Sequence, residues 1–178
     1  NNDDGNSASY DIKKEIELLR GILSDDAKNY HVWSHYHWVL REFNLYNGEL
    51  KYIQDVLLKK DVRNNSAWNH RHFVMTQIKG YKKLNTILDD MKYCKEQIVR
   101  VPSNHSVWYY YTSLIAKYLK DITNVVSNNN DETKQDNNEE SYETYRLKEI
   151  EWVQDLITKK PYATRAYLYY VDLLTNND

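Results

Sequence analysis

His31 and His35 stand four residues apart in "NYHVWSHYHWV", residues 29 to 39, a spacing that lets two imidazoles on one helical face share a zinc ion. The zincin pattern also needs a Glu directly after the first His to act as general base, and Val32 occupies that place. His37 falls on a different part of the helix, and no nearby Cys, His and carboxylate set completes a tetrahedral site, so no metal is assigned to this chain. The pair His70 and His72 in "WNHRHFV" recurs at the matching place further on. Each of His35 and His70 lies two residues after a Trp, so these imidazoles are expected to hydrogen-bond across a helix layer. Neither a G-x-S-x-G elbow nor a phosphate-cradling Gly loop occurs. The single Cys94 lies in a helix-like pattern, excludes an intramolecular disulfide framework and reads as a structural thiol.

What would hold such residues is a helical scaffold. The 178 residues are 41% hydrophobic and 28% charged, enough for one or two globular units with a core. With 24 Lys+Arg against 26 Asp+Glu the formal charge is -2, which speaks against nucleic acid or an anionic membrane as partner. No apolar run reaches transmembrane length, and "NNDDGNSASYD" lacks the regions of a signal peptide. Four Gly and two Pro are too few for an all-β chain. In "DIKKEIELLRGILSDD", Ile12, Ile16, Leu19 and Leu23 share one helical face. "GELKYIQDVLLKK", "LNTILDDMKYCKEQIVRV" and "RLKEIEWVQDLITKK" follow the same pattern.

Between these helices an Asn recurs four residues before a Trp: Asn29 and Trp33, Asn64 and Trp68, Asn104 and Trp108. Successive Trp are 35 and 40 residues apart, the period of paired-helix solenoids. A weaker copy, "YATRAY", puts Tyr167 in the Trp place. An Asn at the N-cap accepts a bond from an orphan backbone N–H, and a Trp one turn later packs into the neighbouring pair. The unit is therefore helix, short turn, capped aromatic helix, spanning residues 11–178. The polar stretch 124–141 is expected to be a flexible insert, and residues 1–10 an Asn-rich tail.

The strings "DAKNYHVWSHYHWVLREFNLYNGEL" and "KKDVRNNSAWNHRHFVMTQ" resemble the alpha subunit shared by protein farnesyltransferase and protein geranylgeranyltransferase type I. An N-x-x-x-W-x-x-R repeat is common to prenyltransferase alpha subunits, and "DAKNYH" with "DVRNNS" favours the farnesyl and type I form. The repeat Arg is present as Arg71, whereas Tyr36 and Tyr111 replace it in the other copies, so its partner must be satisfied differently there.

The resemblance implies an all-α, right-handed α-α superhelix of antiparallel hairpins, a crescent that wraps a separate beta subunit. That partner would hold the zinc, with magnesium assisting farnesyl transfer, while this chain binds no cofactor itself. The implied reaction joins the Cys thiolate of a C-terminal C-a-a-X sequence to an isoprenyl diphosphate. It further implies that Tyr30 and His31 approach substrate, that Lys28 supplies positive charge, and that Asn29 caps the helix. Arg63 and Asn64, their second-repeat equivalents, are assigned to an interface. A cytoplasmic setting is expected. The family's K-N-Y-Q repeat is absent, so a fragment without activity of its own is expected. A Rab-type alpha subunit and a non-enzymatic peptide-binding scaffold remain the alternatives.

Overall fold

A computed structural model describes residues 11–78, 84–128 and 142–175. Helices form where the apolar spacing placed them: α1 (Ile12–Asp25), α2 (Tyr30–Glu42), α3 (Glu49–Tyr52), a π segment (Ile53–Leu57), α4 (Leu58–Lys60), α5 (Asn65–Gln77), α6 (Leu84–Arg100), α7 (His105–Asn128), α8 (Tyr142–Lys159) and α9 (Thr164–Thr175). No strand occurs among the described residues. Four antiparallel hairpins result: α1 with α2, α3–α4 with α5, α6 with α7, and α8 with α9. The second helices stack in sequence, α2 on α5 and α5 on α7, giving the all-α helical-repeat superhelix that the spacing implied.

One turn geometry closes all four hairpins. Asn29 N donates to Asp26 O at 3.1 Å, Asn64 N to Asp61 O at 3.1 Å, Asn104 N to Val101 O at 3.0 Å, and Ala163 N to Lys160 O at 2.9 Å. Asn29 and Asn64 then cap the following helix, each Oδ1 accepting from a backbone N–H at 3.2 Å (Val32 and Ala67). Asn104 does the same for Ser106 N at 3.2 Å, and its amide reaches back to Val62 O of the preceding hairpin at 2.7 Å. Ala163 offers no such side chain, which is why the fourth copy is faint in the sequence.

The three Trp occupy equivalent surroundings. Each indole N–H donates to the carbonyl six residues earlier: Trp33 to Ala27 at 3.0 Å, Trp68 to Val62 at 2.7 Å and Trp108 to Pro102 at 2.8 Å. Each ring also leans on the residue two past the aromatic of the next hairpin, with centroids 5.0 Å apart for Trp33 and His70, 5.8 Å for Trp68 and Tyr110, and 5.5 Å for Trp108 and Tyr169. The indoles thus fix the hairpin turn below and the neighbour beside with one side chain.

Two features depart from a simple periodic reading. Helix α7 continues through Asn128, so the first five residues of the expected insert, 124–128, are helical. Ile122, Val125 and Val126 extend the helical spacing of Ile115 and Tyr118, which carries the helix into the polar stretch. The remainder of that insert, and the expected tail at residues 1–10, lie outside the described residues. The π segment absorbs a length difference: Glu49 stands nineteen residues before Trp68, whereas Asp90 stands eighteen before Trp108 and Glu149 eighteen before Tyr167. A single wide turn keeps Glu49 in line with its counterparts.

Candidate functional site

The chain's own sequence dictates two polar systems, an exposed row of turns and a buried row of carboxylates. At the first turn Asn29 fixes the helix start, which leaves Lys28, Tyr30 and His31 together at the surface. Tyr30 is 68% exposed, and its ring lies 3.8 Å from the His31 imidazole, centroid to centroid. Lys28 uses its backbone N–H on Asp26 Oδ1 at 3.3 Å, as Arg63 uses its own on Asp61 Oδ1 at 2.9 Å in the second turn. Ser106 Oγ of the third turn donates to Asn65 Oδ1 at 3.0 Å, and Arg165 of α9 lies 2.8 Å from His105 Nδ1. The turns therefore form one continuous edge, rich in Lys, Arg, His and Tyr, with solvent-facing donors.

The histidines of the first aromatic segment do not converge. His31 stays with Tyr30, His35 Nε2 meets Glu15 Oε1 at 2.7 Å, and His37 Nε2 meets His70 Nδ1 at 2.9 Å. Since His70 Nε2 faces Glu49 Oε2 at 3.3 Å, a carboxylate acceptor, that nitrogen carries the proton and Nδ1 accepts from His37. Burial first, then His70 and Arg41, lower the His37 pKa to about 4, so both rings are neutral at pH 7. Among the described residues no group of three or more His, Cys, Asp or Glu could hold a metal ion. Cys94 is fully buried, and burial together with Asp90 holds its thiol well above the ordinary value, as befits a packing residue.

The buried carboxylates answer what takes the place of the repeat Arg. Glu49 accepts from Tyr36 Oη at 3.0 Å and from the Arg20 guanidinium, both of the preceding hairpin, and from His70 of its own. Glu149 accepts from Tyr111 Oη at 2.6 Å and Lys95 Nζ at 2.6 Å of the preceding hairpin, and from Tyr169 Oη at 3.1 Å of its own. Asp90 is bound by Arg71 through Nε at 3.0 Å and also Nη2, and by the Tyr110 hydroxyl of its own hairpin. Each cation also lies over an aromatic ring three residues past the carboxylate: Arg20 over Tyr52 at 3.9 Å, Arg71 over Tyr93 at 4.3 Å and Lys95 over Trp152 at 4.4 Å. Every joint between hairpins is thus a variant of one socket: a carboxylate fed by the residue three past one aromatic and by the residue two past the next, with the cation a third residue at Glu49 and Glu149 and Arg71 itself at Asp90.

The Glu49 socket keeps its charge. Burial alone would raise the Glu49 pKa, but the His70 hydrogen bond and the Arg20 charge outweigh it and hold the carboxyl below its ordinary value. Glu49, Asp90 and Glu149 are nearly inaccessible, at 2%, 5% and 2% exposure, so each needs its donors. Sequence reasoning missed all three. The signal was present as "ELKY", "DMKY" and "EIEW", an acid and an aromatic three residues later, placed eighteen or nineteen residues before the repeat aromatic. Of the repeat residues singled out from the sequence, Asn29, Asn64 and Asn104 are caps, Trp33, Trp68 and Trp108 are pegs, and Arg71 is a joint residue.

The repeat has known relatives. The family description "Protein prenyltransferase alpha subunit repeat" matches residues 12–43, 46–78 and 87–118, more than half of the chain. Among solved structures, Candida albicans protein geranylgeranyltransferase-I complexed with GGPP is similar at 28% identity and a TM-score of 0.58. The likeness covers 94% of this chain and 60% of that one, so this chain spans about three fifths of its relative's length. No match was found among curated protein sequences.

Proposed function

Because the chain belongs to the protein prenyltransferase alpha-subunit repeat family, we propose that it acts as the alpha subunit of a heterodimeric protein prenyltransferase, wrapping a catalytic beta subunit. The observation that carries this reading is the coincidence of three family repeats with three structurally equivalent hairpins, each pegged by its Trp. The likeness to a geranylgeranyltransferase-I structure supports the same reading.

In the proposed complex the thiolate of a C-terminal C-a-a-X Cys attacks the carbon bearing the diphosphate, a thioether forms, and diphosphate departs. A thiol ligated to zinc is deprotonated at neutral pH, and that is the chemistry the metal supplies when bound. In this reading the zinc belongs to the partner's cavity. This chain contributes the exposed turn. Lys28 would place an ammonium near the anionic leaving group, and Tyr30 and His31 would line the mouth of the partner's cavity, where their rings and donors can orient substrate. Isoprenoid length is a property of the partner's pocket. No helix among the described residues is long and apolar enough to cross a membrane.

The test is co-expression of the full-length protein with its cognate beta subunit, followed by transfer of labelled isoprenoid to a C-a-a-X peptide. A stable complex with transfer activity is expected; absence of both overturns the proposal. Activity seen only with an escort protein and Rab substrates would favour the Rab-type enzyme. Recovery of peptide-bearing partners but never a beta subunit would favour a scaffold.

A further inference from the structure

The Asp90 joint leaves a donor unused. Arg71 is 4% exposed and gives Nε and Nη2 to Asp90, but its Nη1 has no hydrogen-bond partner. A buried charged donor without an acceptor is costly, so its surroundings were searched for what could supply one. Arg71 lines an open groove of about 500 Å³ formed by α3, the π segment, α5 and α6. That is room for a short stretch of peptide.

The chain places an acid here where its other joints have a cation. Thirteen residues before the aromatic, the preceding hairpin carries Arg20 at the Glu49 joint and Lys95 at the Glu149 joint, and each crosses to the carboxylate. At the Asp90 joint that residue is Asp55, within the wide turn of the π segment. Asp55 and Asp89 are exposed along the groove, and neither forms an ion pair among the described residues. Arg71 is bound to Asp90 and Lys51 offsets one acid, which leaves the groove one negative charge over. Leu50 and Met75 give it apolar surface. An anion at Nη1 would face three carboxylates, so the acceptor must be neutral, as a peptide carbonyl is, while the exposed acids call for a cation. We propose that this groove binds a basic peptide segment of a partner protein, one backbone carbonyl taking the Nη1 proton of Arg71 and a Lys or Arg side chain lying along Leu50 toward Asp55 and Asp89. A cation from outside thereby enters the side of the joint at which Arg20 and Lys95 stand in the others. The inference does not depend on the enzymatic reading.

The probe is the peptide acetyl-Ala-Leu-Arg-Leu-Ala-amide, titrated into the full chain labelled at Arg side chains and Met methyl groups and followed by NMR. Saturable shifts of the Arg71 Nε–H and Met75 methyl signals are expected, since both side chains line the groove. Exchanging the peptide's Arg for Gln, or combining Asp55→Asn with Asp89→Asn in the chain, should weaken binding about threefold or more, as loss of exposed ion pairs predicts. Raising the salt to about 0.5 M should weaken it likewise. Both acids are exposed, so the double variant should melt with the parent chain. Absence of saturable binding at millimolar peptide, equal binding of the Gln peptide, unchanged affinity of the double variant, or shifts confined to other helices would overturn the proposal. Equal shifts with free spermidine would assign the groove to a small cation, and shifts on concentrating the chain alone would assign it to a second copy; either would also overturn it.

Discussion

The tyrosine joints and the arginine joint solve one problem from two directions. Around Glu49 and Glu149 the cation arrives from the first helix of the preceding hairpin, as Arg20 or Lys95, and the residue three past the Trp is a Tyr that only donates a hydroxyl. Around Asp90 the residue three past the Trp is itself the cation, Arg71, and the position that held Arg20 and Lys95 is Asp55. The side chain too many at one place is missing at the other. An open groove of about 500 Å³ lined in part by Asp55, Arg71, Asp90 and Tyr93 lies at the arginine joint. Charge balance in the socket is thus conserved while the position that supplies it moves, which a column-by-column reading of the repeat would record as a lost motif.

Removing the cation should hurt the arginine joint most. Arg71→Ala strips Asp90 of its cation in a site where both side chains are 5% exposed, so a loss of about 3–5 kcal/mol is expected in urea unfolding. Lys95→Ala should cost less, about 1–3 kcal/mol, because Glu149 keeps the Tyr111 and Tyr169 hydroxyls and Lys95 is 27% exposed. Equal losses would remove the distinction between the two kinds of joint.

Acid should separate the joints further. His37 titrates near 4 when folded and near its ordinary value when unfolded, so the unfolded chain binds more protons between those limits. The stability it contributes is complete above about pH 6.5 and falls as pH drops toward 4. His70 is shifted in the same direction. Neither imidazole touches the sockets of Asp90 or Glu149, so hydrogen exchange at pH 5 should rise first in α2 and α5, and His37→Gln should flatten that response. A uniform rise across the array would contradict this.

The smallest effect is expected from Tyr111→Phe. It removes one hydroxyl from a carboxylate that retains two donors, for about 0.5–1.5 kcal/mol in the same unfolding assay.

The scaffold was legible in the sequence because its signals are repetitive and local. The apolar faces of α1 and α6, the Asn caps and the Trp pegs each follow from spacing within one or two turns. The joints were not legible, because Glu49, Asp90 and Glu149 look like any surface acid until the neighbouring hairpin is in place. His31, His35 and His37 are close along the chain, yet the helix turns them to three different partners, and His35 and His70 do bond between helices as their place two residues after a Trp suggested. Lys28, Tyr30 and His31 do share a turn, as the position of Asn29 required, and their exposure reflects the lack of any partner within the hairpin to cover them. The end of α7 escaped because Asn and Ser dominate the composition there, while Ile122, Val125 and Val126 maintain the helical period beneath.

Moving the cation is the most direct measurement of whether one socket unites the array. Arg71→Tyr converts the second hairpin to the tyrosine type without its cation and should destabilise the chain by about 3 kcal/mol. Adding Asp55→Arg, at the groove that Asp90 and Tyr93 also line, should restore more than half of that loss, whereas Asp55→Arg alone beside the intact Arg71 should not stabilise. If the double variant is no more stable than Arg71→Tyr, the joints are unrelated solutions and the shared socket is contradicted.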